Sequence, residues 1–352
     1  MLTGKRVLVT GGTGSLGNVL VRRLLSDELG RPEQVVVFSR DEAKQHAMRL
    51  AFRHRRVATD EVIYDEIGRR LRFQIGDVSD YHAVCAALRQ ADVVFQAAAL
   101  KQVPSCEYFP FQAVKTNILG PENIVRAIRE HNFPVEIVVG ISTDKACKPV
   151  NVMGMTKAIQ ERIFVQANLD CACTRFVIAR YGNVLASRGS VIPLFHDQIR
   201  RGGPVTLTTP DMTRFLMSLD QAVDTIFAAA RDADPGETYV PRLPSARLVD
   251  LAAALIGDRP IETRFIGIRP GEKTHESLIS PEEASRTVER GGFYAILPML
   301  PELRAPDGDL VFLEREFSSA DAVVSRAEVA ELLQANEMRV EDDPVFAEHL
   351  PA

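Results

Sequence analysis

Apolar and polar positions alternate between two periods over the first 180 residues of the chain. Six short runs are almost continuously apolar and rich in β-branched residues, which is typical of strands buried on both faces of a parallel sheet. These runs are residues 7–10, 35–38, 71–75, 93–95, 135–139 and 176–179. Between them, apolar residues recur at helical spacing in 16–29, 41–56, 81–88, 121–131 and 154–168. The alternation predicts an α/β fold built on a doubly wound parallel sheet.

Frequent prolines interrupt shorter elements in the second half of the chain. They predict a smaller C-terminal lobe, formed by residues 185–217 and 244–300, beside the edge of the sheet where ligands bind. A good helical pattern at 219–231 lies between these two parts. We therefore expect the segment 218–243 to pack back onto the first unit, residues 1–184.

The last part of the chain, residues 301–352, differs in charge, with 13 acidic and four basic residues. Ser325 and Glu328 form a capping-box pattern, which predicts a short helix that ends at about Gln334. We expect this acidic tail to be a docking segment that latches onto a neighbouring subunit.

Composition narrows the class of protein. The chain is 46% apolar and 25% charged, with a net charge of −5, so no overall basic field favours nucleic acid as a partner. No apolar run approaches the roughly 18 residues that a membrane span needs, and the chain begins at the first strand without a signal sequence. Five cysteines are too few for a disulfide framework, and none has a partner at metal-ligand spacing. We expect a cytoplasmic protein with no membrane partner and no metal site.

A glycine-rich turn, GGTGSLG at residues 11–17, joins the first strand to the first helix. Its spaced glycines permit a tight turn, close approach of the backbone to a pyrophosphate, and close packing of helix on strand. The helix N-terminus adds unpaired N–H groups and partial positive charge. The context predicts a Rossmann dinucleotide-binding domain in residues 1–184. The cofactor contacts expected in this turn are Gly11, Thr13, Gly14, Ser15, Leu16 and Gly17.

The end of the second strand favours NADP over NAD. A carboxylate there would suit a ribose 2′-hydroxyl, whereas a cation suits a 2′-phosphate. Ser39 and Arg40 lie at the strand end, and Lys44 follows one helical turn later. The alternative is that Asp41 caps the next helix while Arg40 faces solvent.

Asp77 and Val78, which follow the third strand, are expected beside the adenine ring.

Reactive side chains lie at the end of the fifth strand and on the helix that comes next. Thr143, Asp144 and Lys145 end the strand, and Met153 and Lys157 lie on the helix. Active residues of open α/β sheets gather at the carboxyl ends of the strands, so we expect both segments in one cleft.

Several motifs resemble those of the extended short-chain dehydrogenase/reductase superfamily, and within it the 4,6-dehydratases that act on UDP-N-acetylglucosamine. The similar segments keep the family order over about residues 4–300. They are TGGTGSLG (10–17), FSRDE (38–42), AAALKQVP (97–104), STDK (142–145), RYGNV (180–184), SRGSVIP (187–193), MTRF (212–215) and RPGEK (269–273). The resemblance implies further cofactor contacts at Ala97 and Ala98, and a homo-oligomer.

Met153 departs from the superfamily pattern, which places a tyrosine four residues before the lysine. Methionine cannot accept a proton, so two explanations stay open. The chain is either a relative that binds the nucleotide without catalysis, or one of the sugar dehydratases that resemble it in carrying methionine there. The presence of Asp144, Lys145 and Lys157 favours the second explanation.

The resemblance implies a lyase reaction with tightly bound NADP. Transient oxidation at C4 acidifies the C5 proton, water leaves across C5–C6, and hydride returns to C6, with retention or inversion at C5 left open. We expect Lys145 to take the C5 proton and Asp144 to protonate the C6 oxygen. Thr143 is expected to bind the C4 oxygen and Lys157 the nicotinamide ribose. The acceptor of the C4-hydroxyl proton stays open between Asp144 and water near Lys157.

The smaller lobe is expected to bind the nucleotide sugar, because a diphosphate favours arginine and N–H donors. The substrate residues implied by the resemblance are Lys101, Asn183, Arg188, Val191, Arg214, Arg269 and Glu272. Two other functions remain as alternatives: another nucleotide-sugar epimerase or reductase, such as a 4-epimerase, and a non-catalytic NADP-binding module.

Overall fold

A nine-stranded sheet forms the centre of the computed structural model, which describes residues 1–52, 70–185, 190–304, 311–342 and 344. The strands are β1 (Arg6–Thr10), β2 (Gln34–Ser39), β3 (Leu71–Ile75), β4 (Val93–Gln96), β5 (Ile137–Thr143), β6 (Arg175–Tyr181), β7 (Val205–Leu207), β8 (Thr213–Phe215), β9 (Thr238–Pro241), β10 (Ser245–Arg247), β11 (Thr263–Phe265), β12 (Ser277–Ile279), β13 (Thr287–Arg290), β14 (Phe293–Ile296) and β15 (Phe317–Ser318). The order in the sheet is β13-β14-β9-β6-β5-β4-β1-β2-β3. All pairs from β9 to β3 are parallel, which confirms the predicted doubly wound α/β fold.

Helices cover both faces of this sheet. They are α1 (Ser15–Leu25), α2 (Glu42–Phe52), α3 (Tyr81–Leu88), α4 (Val103–Tyr108), α5 (Pro110–Val114), α6 (Gly120–His131), α7 (Val152–Asp170), α8 (Val191–Arg200), α9 (Leu219–Asp232), α10 (Leu248–Ile256), α11 (Pro281–Ala284) and α12 (Arg326–Ala335), with a π-helix at Lys115–Leu119. The predicted end of the second helix, residues 53–56, lies outside the described residues. In the part of the chain that the structure describes, no helix is both long enough and apolar enough to cross a membrane.

Alternation along β1 divides the core between the two faces. Val7 and Val9 pack on one side, in a cluster that includes Leu20 of α1. Leu8 points to the other side and packs in a cluster with Ile124 of α6. Successive side chains of a strand point to opposite faces, so a continuous apolar run indicates burial on both.

The sheet extends further than the sequence indicated. Residues 287–296 were expected in the smaller lobe, but β14 pairs antiparallel with β9, and β13 pairs with β14 at the edge of the main sheet. A two-residue loop, Gly291-Gly292, joins these strands, and Gly291 has a φ of +59°. Because the hairpin buries Ala295 and Ile296, its apolar side is covered by the main sheet's own core. For the rest of the chain, we propose the division into a first unit and a smaller lobe that the sequence predicts.

The smaller region between β6 and α12 has a core of its own. In the described ranges, three two-stranded sheets occur there: β10 with β8, β11 with β7, and β12 with β15. Phe195 and Leu251 are buried in this core together with Val329 and Leu333 of α12. Ser325 caps α12 through the predicted capping box. The helix α12 of the acidic tail therefore docks on its own chain, and a latch onto a neighbouring subunit stays a prediction.

Candidate active site

The β1–α1 turn packs directly on the end of β4. Gly11 has a φ of +66°, and a Cβ at this position would lie 2.7 Å from the Cα and the N of Ala98. A Cβ at Gly17 would lie 2.5 Å from the backbone of Gly12. Only glycine fits these two contacts, and the resulting loop forms a close backbone cradle.

The N-terminus of α1 faces this cradle without a side-chain cap. Gly14 is the N-cap residue and supplies no acceptor, while the first N–H groups of a helix have no partner within it. The side chain of Asn18 donates to the carbonyls of Thr13 and Gly14, both at 3.1 Å, and fixes the loop. Ser15 and Leu16 therefore present backbone N–H groups where an anion would bind.

Ala97 and Ala98 lie across from the cradle, at the point where the sheet order reverses between β4 and β1. Their N–H groups donate to the Thr10 carbonyl and hydroxyl, each at 3.2 Å. The side chain of Gln96 is fully buried and donates to the Ala98 carbonyl, but its Oε1 has no hydrogen-bond partner. This crevice is the usual ligand position of doubly wound sheets.

The end of β2 carries a cation paired with the end of β3. Arg40 keeps 61% of its side chain exposed, and its Nη1 lies 3.3 Å from Oδ2 of Asp77. Burial works against ionisation of Asp77, but hydrogen bonds from Ser79 and the charge of Arg40 hold its pKa below the ordinary value. Arg40 therefore pairs with a carboxylate while still facing solvent.

Neighbouring residues at this end of the sheet are engaged by the fold. Asp41 accepts from the N–H of Lys44 at 2.9 Å and pairs with its ammonium, as the helix-cap alternative predicted. Ser39 accepts twice from the side chain of Gln45. Val78, expected beside the adenine ring, has its side chain buried in the core, and its carbonyl accepts from Asn123.

Asp144, Thr143 and Lys145 form a cluster at the carboxyl end of β5. Asp144 is fully buried, and its Oδ1 accepts from the Thr143 hydroxyl at 2.8 Å and from Lys145 Nζ at 3.1 Å. Its Oδ2 is buried and has no hydrogen-bond partner. Unpartnered buried oxygens are rare, and this one suits contact with a reacting group.

The Lys145 ammonium has three acceptors around it. Besides Asp144, Nζ donates to Oδ1 of Asn183 at 3.3 Å and lies 3.6 Å from Oε1 of Glu276. Burial lowers the pKa of Lys145, but the charges of Asp144 and Glu276 outweigh burial, so the pKa lies above its ordinary value. Lys145 is therefore an ammonium group in the resting protein.

The helix α7 contacts this cluster because position 154 is glycine. A Cβ at Gly154 would lie 2.2 Å from the carbonyl oxygen of Lys145. Asn151 caps the helix by accepting from the Gly154 N–H at 2.8 Å, and it donates to the Gly271 carbonyl at 2.8 Å. The same asparagine thus joins α7 to the segment that contains Arg269.

Met153 and Lys157 take different positions on α7. Met153 packs with Cys106 in a small apolar cluster. Lys157 is buried, and its Nζ donates to the Ile141 carbonyl at 2.5 Å and to Oε1 of Gln160 at 2.6 Å. Burial lowers the pKa of Lys157 to about 7. The lysine is therefore divided between its charged and neutral forms near neutral pH.

The predicted substrate residues are only partly brought together. Asn183 contacts Lys145, whereas Arg214 is buried and donates to the carbonyls of Thr213, Lys273 and Thr274 at 2.7 to 3.1 Å. Arg214 therefore anchors the loop, and its charge also acts on Lys145.

The other predicted substrate positions lie on several separate segments. Glu272 has a buried Oε2 without a hydrogen-bond partner, and Arg269 is exposed. Lys101 is exposed after β4, and Val191 begins α8. Arg188 lies outside the described residues.

Two groups of charged residues near the cluster were not assigned a role from sequence. Glu276 approaches Lys145 from a distant segment and is paired there with Lys273, and no local sequence pattern indicates these contacts. Arg180 is buried between two carboxylates, with hydrogen bonds of 2.6 and 2.9 Å to Glu161 and of 2.7 and 2.8 Å to Glu283. Since a buried charge is costly unless paired, this triad ties β6 to α7 and α11 beneath the site.

In the described ranges, no three His, Cys, Asp or Glu residues are arranged so that they could hold a metal ion. His275, which follows the glycine-containing loop, has its Nδ1 2.8 Å from the Thr213 hydroxyl.

Comparison with known proteins defines the class first. A family model described as a polysaccharide biosynthesis protein matches residues 7–298. The match covers more than half of the 352 residues, so the chain belongs to this family of polysaccharide biosynthesis proteins.

Individual relatives are similar over most of the chain. The UDP-glucose 4-epimerase of Rickettsia akari (strain Hartford) is 43% identical over 301 residues, which cover 84% of each protein. The structure of Pen from Bacillus thuringiensis has a TM-score of 0.85 at 32% identity and covers 96% of this chain and 99% of Pen. DesIV from Streptomyces venezuelae, a dTDP-glucose 4,6-dehydratase crystallised with NAD and TYD, has a TM-score of 0.63 at 21% identity, with 76% and 86% covered. Both structures confirm the fold.

Proposed function

We propose that the chain is a nucleotide-sugar 4,6-dehydratase that converts UDP-N-acetylglucosamine to a UDP-2-acetamido-2,6-dideoxy-4-keto-hexose. The pair formed by buried Asp144 and partly exposed Lys145 is the observation that carries this proposal. Exchange of configuration at C4 needs proton transfer at one oxygen, whereas loss of water also needs a base at C5 and an acid at C6. A carboxylate and an amine 3.1 Å apart at the carboxyl edge of the sheet supply both groups.

The backbone cradle at Gly11 and the uncapped N-terminus of α1 fit a dinucleotide cofactor. The cations of Arg40 and Lys44 support NADP. Asp41 supports the same choice, because its carboxylate is already bound by the N–H and the ammonium of Lys44. When bound, the cofactor supplies reversible hydride acceptance and is not consumed. NAD, which the Streptomyces venezuelae structure contains, is the less favoured choice.

Proton balance follows from the resting charges of the pair. One proton moves from Nζ of Lys145 to Oδ1 of Asp144, which converts the ammonium and carboxylate into an amine and a carboxylic acid. The amine accepts the C5 proton, and the acid gives its proton to the C6 hydroxyl, which leaves as water. The pair thereby returns to its resting charges when water has left. Reduction at C6 then requires a proton at C5, which the Lys145 ammonium is proposed to give, and the proton released from the C4 hydroxyl restores that ammonium.

The remaining site residues are proposed to orient the reactants. Thr143 donates to Asp144, and its hydroxyl is proposed to bind the C4 oxygen of the sugar. Lys157 is proposed to hold the nicotinamide ribose. We propose Asn183, Glu272, Arg269, Lys101 and Val191 as contacts of the nucleotide sugar. Arg188 remains proposed for the diphosphate from sequence alone.

The chain is also proposed to form a homo-oligomer. The paired helices α4 and α5 expose Tyr108, Phe109 and Phe111 to 82%, 63% and 62%. Clustered aromatic side chains exposed to this extent are typical of interaction surfaces.

A 4-epimerase is the second candidate, favoured by the printed names of the Rickettsia relatives. Purified protein is therefore incubated with NADP⁺ and either UDP-N-acetylglucosamine or UDP-glucose, and the products are separated and weighed by mass spectrometry. A product from UDP-N-acetylglucosamine that is lighter by one water supports the dehydratase. An isomer of unchanged mass supports the epimerase, and bound cofactor without any new nucleotide sugar supports the binding module.

A further inference from the structure

Glu276 brings a second carboxylate to Lys145 from a distant part of the chain. Its side chain is almost completely buried, and Oε1 lies 3.6 Å from Nζ of Lys145. Oε2 is buried without a hydrogen-bond partner and lies 3.5 Å from the ammonium of Lys273. Lys273 in turn donates to the Cys147 carbonyl at 2.7 Å. A carboxylate buried in this way is costly unless cations face it.

The backbone of Glu276 is held on both sides by the acidic tail. Its N–H donates to the hydroxyl of Ser319 at 2.9 Å, and its carbonyl accepts from the Ser319 N–H at 2.7 Å. Arg214 fixes the preceding residues, Lys273 and Thr274, through their carbonyls. The carboxylate therefore reaches Lys145 from a rigid segment, although its side chain makes no local hydrogen bond.

We propose that Glu276 is a positioning residue for Lys145: its carboxylate forms an ion pair with the ammonium group and fixes where Nζ stands between substrate and Asp144. Asp144 and Asn183 accept hydrogen bonds from Nζ, and Glu276 adds its charge from 3.6 Å on a third side. Removing the Glu276 carboxylate takes one attracting negative charge away from the ammonium group. The catalytic consequence rests on the proposed dehydratase function.

The charged groups that face Lys145 determine the sign of its titration. Asp144 and Glu276 favour the ammonium form, and Arg214 opposes it. Lys273 faces the other oxygen of Glu276, at 3.5 Å. Glu276→Gln preserves the size of the side chain and removes its charge, so the titration midpoint of Lys145 should fall.

The first test measures this midpoint without requiring any turnover. Lysine labelled with ¹³C at Cε is incorporated, the Lys145 signal is assigned with Lys145→Arg, and its shift is followed against pH in the full chain. Glu276→Gln should lower the midpoint by about one pH unit or more, the range for loss of a nearby opposite charge. Glu289→Gln, which removes an exposed carboxylate paired with Arg242, should leave it unchanged. An unchanged or higher midpoint in Glu276→Gln overturns the proposal.

Glu276→Asp keeps the test decisive if the glutamine variant does not fold. The shorter side chain retains its charge but withdraws it by one methylene, so the midpoint should fall by less. A midpoint equal to that of the unchanged protein overturns the role of Glu276.

The second test measures turnover in the same variants. Glu276→Gln should lower kcat by up to about a hundredfold, the effect of misplacing a reacting group by about 1 Å, while KM changes little. Weaker substrate binding, seen as a higher KM with an unchanged kcat, contradicts a positioning role. If the unchanged protein makes no dehydrated product, the proposed function fails, whereas the Lys145 midpoint still decides whether Glu276 acts on it.

Discussion

Gly154→Ala is expected to separate the helix α7 from the Lys145 segment. The added Cβ would lie 2.2 Å from the Lys145 carbonyl oxygen, about 1.2 Å short of the ordinary van der Waals contact that begins at 3.4 Å. This oxygen belongs to the backbone and cannot rotate away, so the helix and the segment must move apart. A displacement of about 1 Å in a catalytic group costs on the order of a hundredfold in rate.

The same displacement has a cost in stability. Overpacking costs about 1–3 kcal/mol, and the better helix propensity of alanine recovers up to about 1 kcal/mol. We therefore expect a folded variant with a slightly lower melting temperature. Its kcat for UDP-N-acetylglucosamine should be about a hundredfold lower.

Product formation is followed by chromatography, and thermal unfolding is recorded on the same samples. The matched control is Gly292→Ala, because a Cβ there meets no atom within 4 Å and the backbone has no left-handed φ. The control should retain its kcat. If Gly154→Ala also retains its kcat, the contact between α7 and Lys145 does not position the reacting groups.

Substitutions in the catalytic pair, the cofactor site, Lys157 and the exposed aromatic surface each have a measurable expected effect. Asp144→Asn and Lys145→Ala should each abolish turnover while the protein retains NADP; activity near the normal level in either variant removes that residue's assignment. Arg40→Ala should weaken NADP binding by about tenfold to a hundredfold, the value of a charged hydrogen bond, with NAD affinity little changed in calorimetry. An equal loss for both cofactors would exclude a 2′-phosphate contact. Lys157 keeps its proton up to a pKa of about 7 in the folded protein, but up to its higher ordinary pKa in the unfolded chain. The free energy of unfolding should therefore rise with pH above about 7. Urea unfolding should show this slope, and Lys157→Met should flatten it; an equal slope in both proteins contradicts the burial of a charged lysine. Phe111→Ser should lower the oligomeric state measured by light scattering, and an unchanged mass would place the interface elsewhere.

The central strands could be located from sequence because burial on both faces leaves a continuous apolar run. The apolar run at 135–139 covers only part of β5, which continues through Gly140 and Ser142 to the strand end predicted beside Thr143. A Cβ at Gly140 would lie 2.4 Å from the ring of Phe164, so glycine is required there for packing. Polar residues enter a buried strand when a distant partner compensates them, as Glu161 does for Arg180. Such compensation has no local signal.

The candidate site was predictable where its residues are adjacent in sequence. Thr143, Asp144 and Lys145 lie together because they follow one strand, and sheet geometry places them at the ligand edge. Glu276 could not be paired with Lys145 in the same way, because 131 positions separate them and the contact depends on how Ser319 and Arg214 hold its segment. For the hairpin of β13 and β14, a signal was present: two adjacent glycines between short apolar runs are typical of a tight turn.

Proton NMR of the protein with UDP-N-acetylglucosamine and NADP⁺ in deuterated water tests the central claim most directly. Lys145 and Asp144 are proposed to move protons at C5 and C6, so both positions report on them. We expect a new C6 methyl signal with deuterium at C5, and the ring couplings then report retention or inversion at C5. Absence of the methyl signal, with resonances of a C4 epimer in its place, would contradict dehydration.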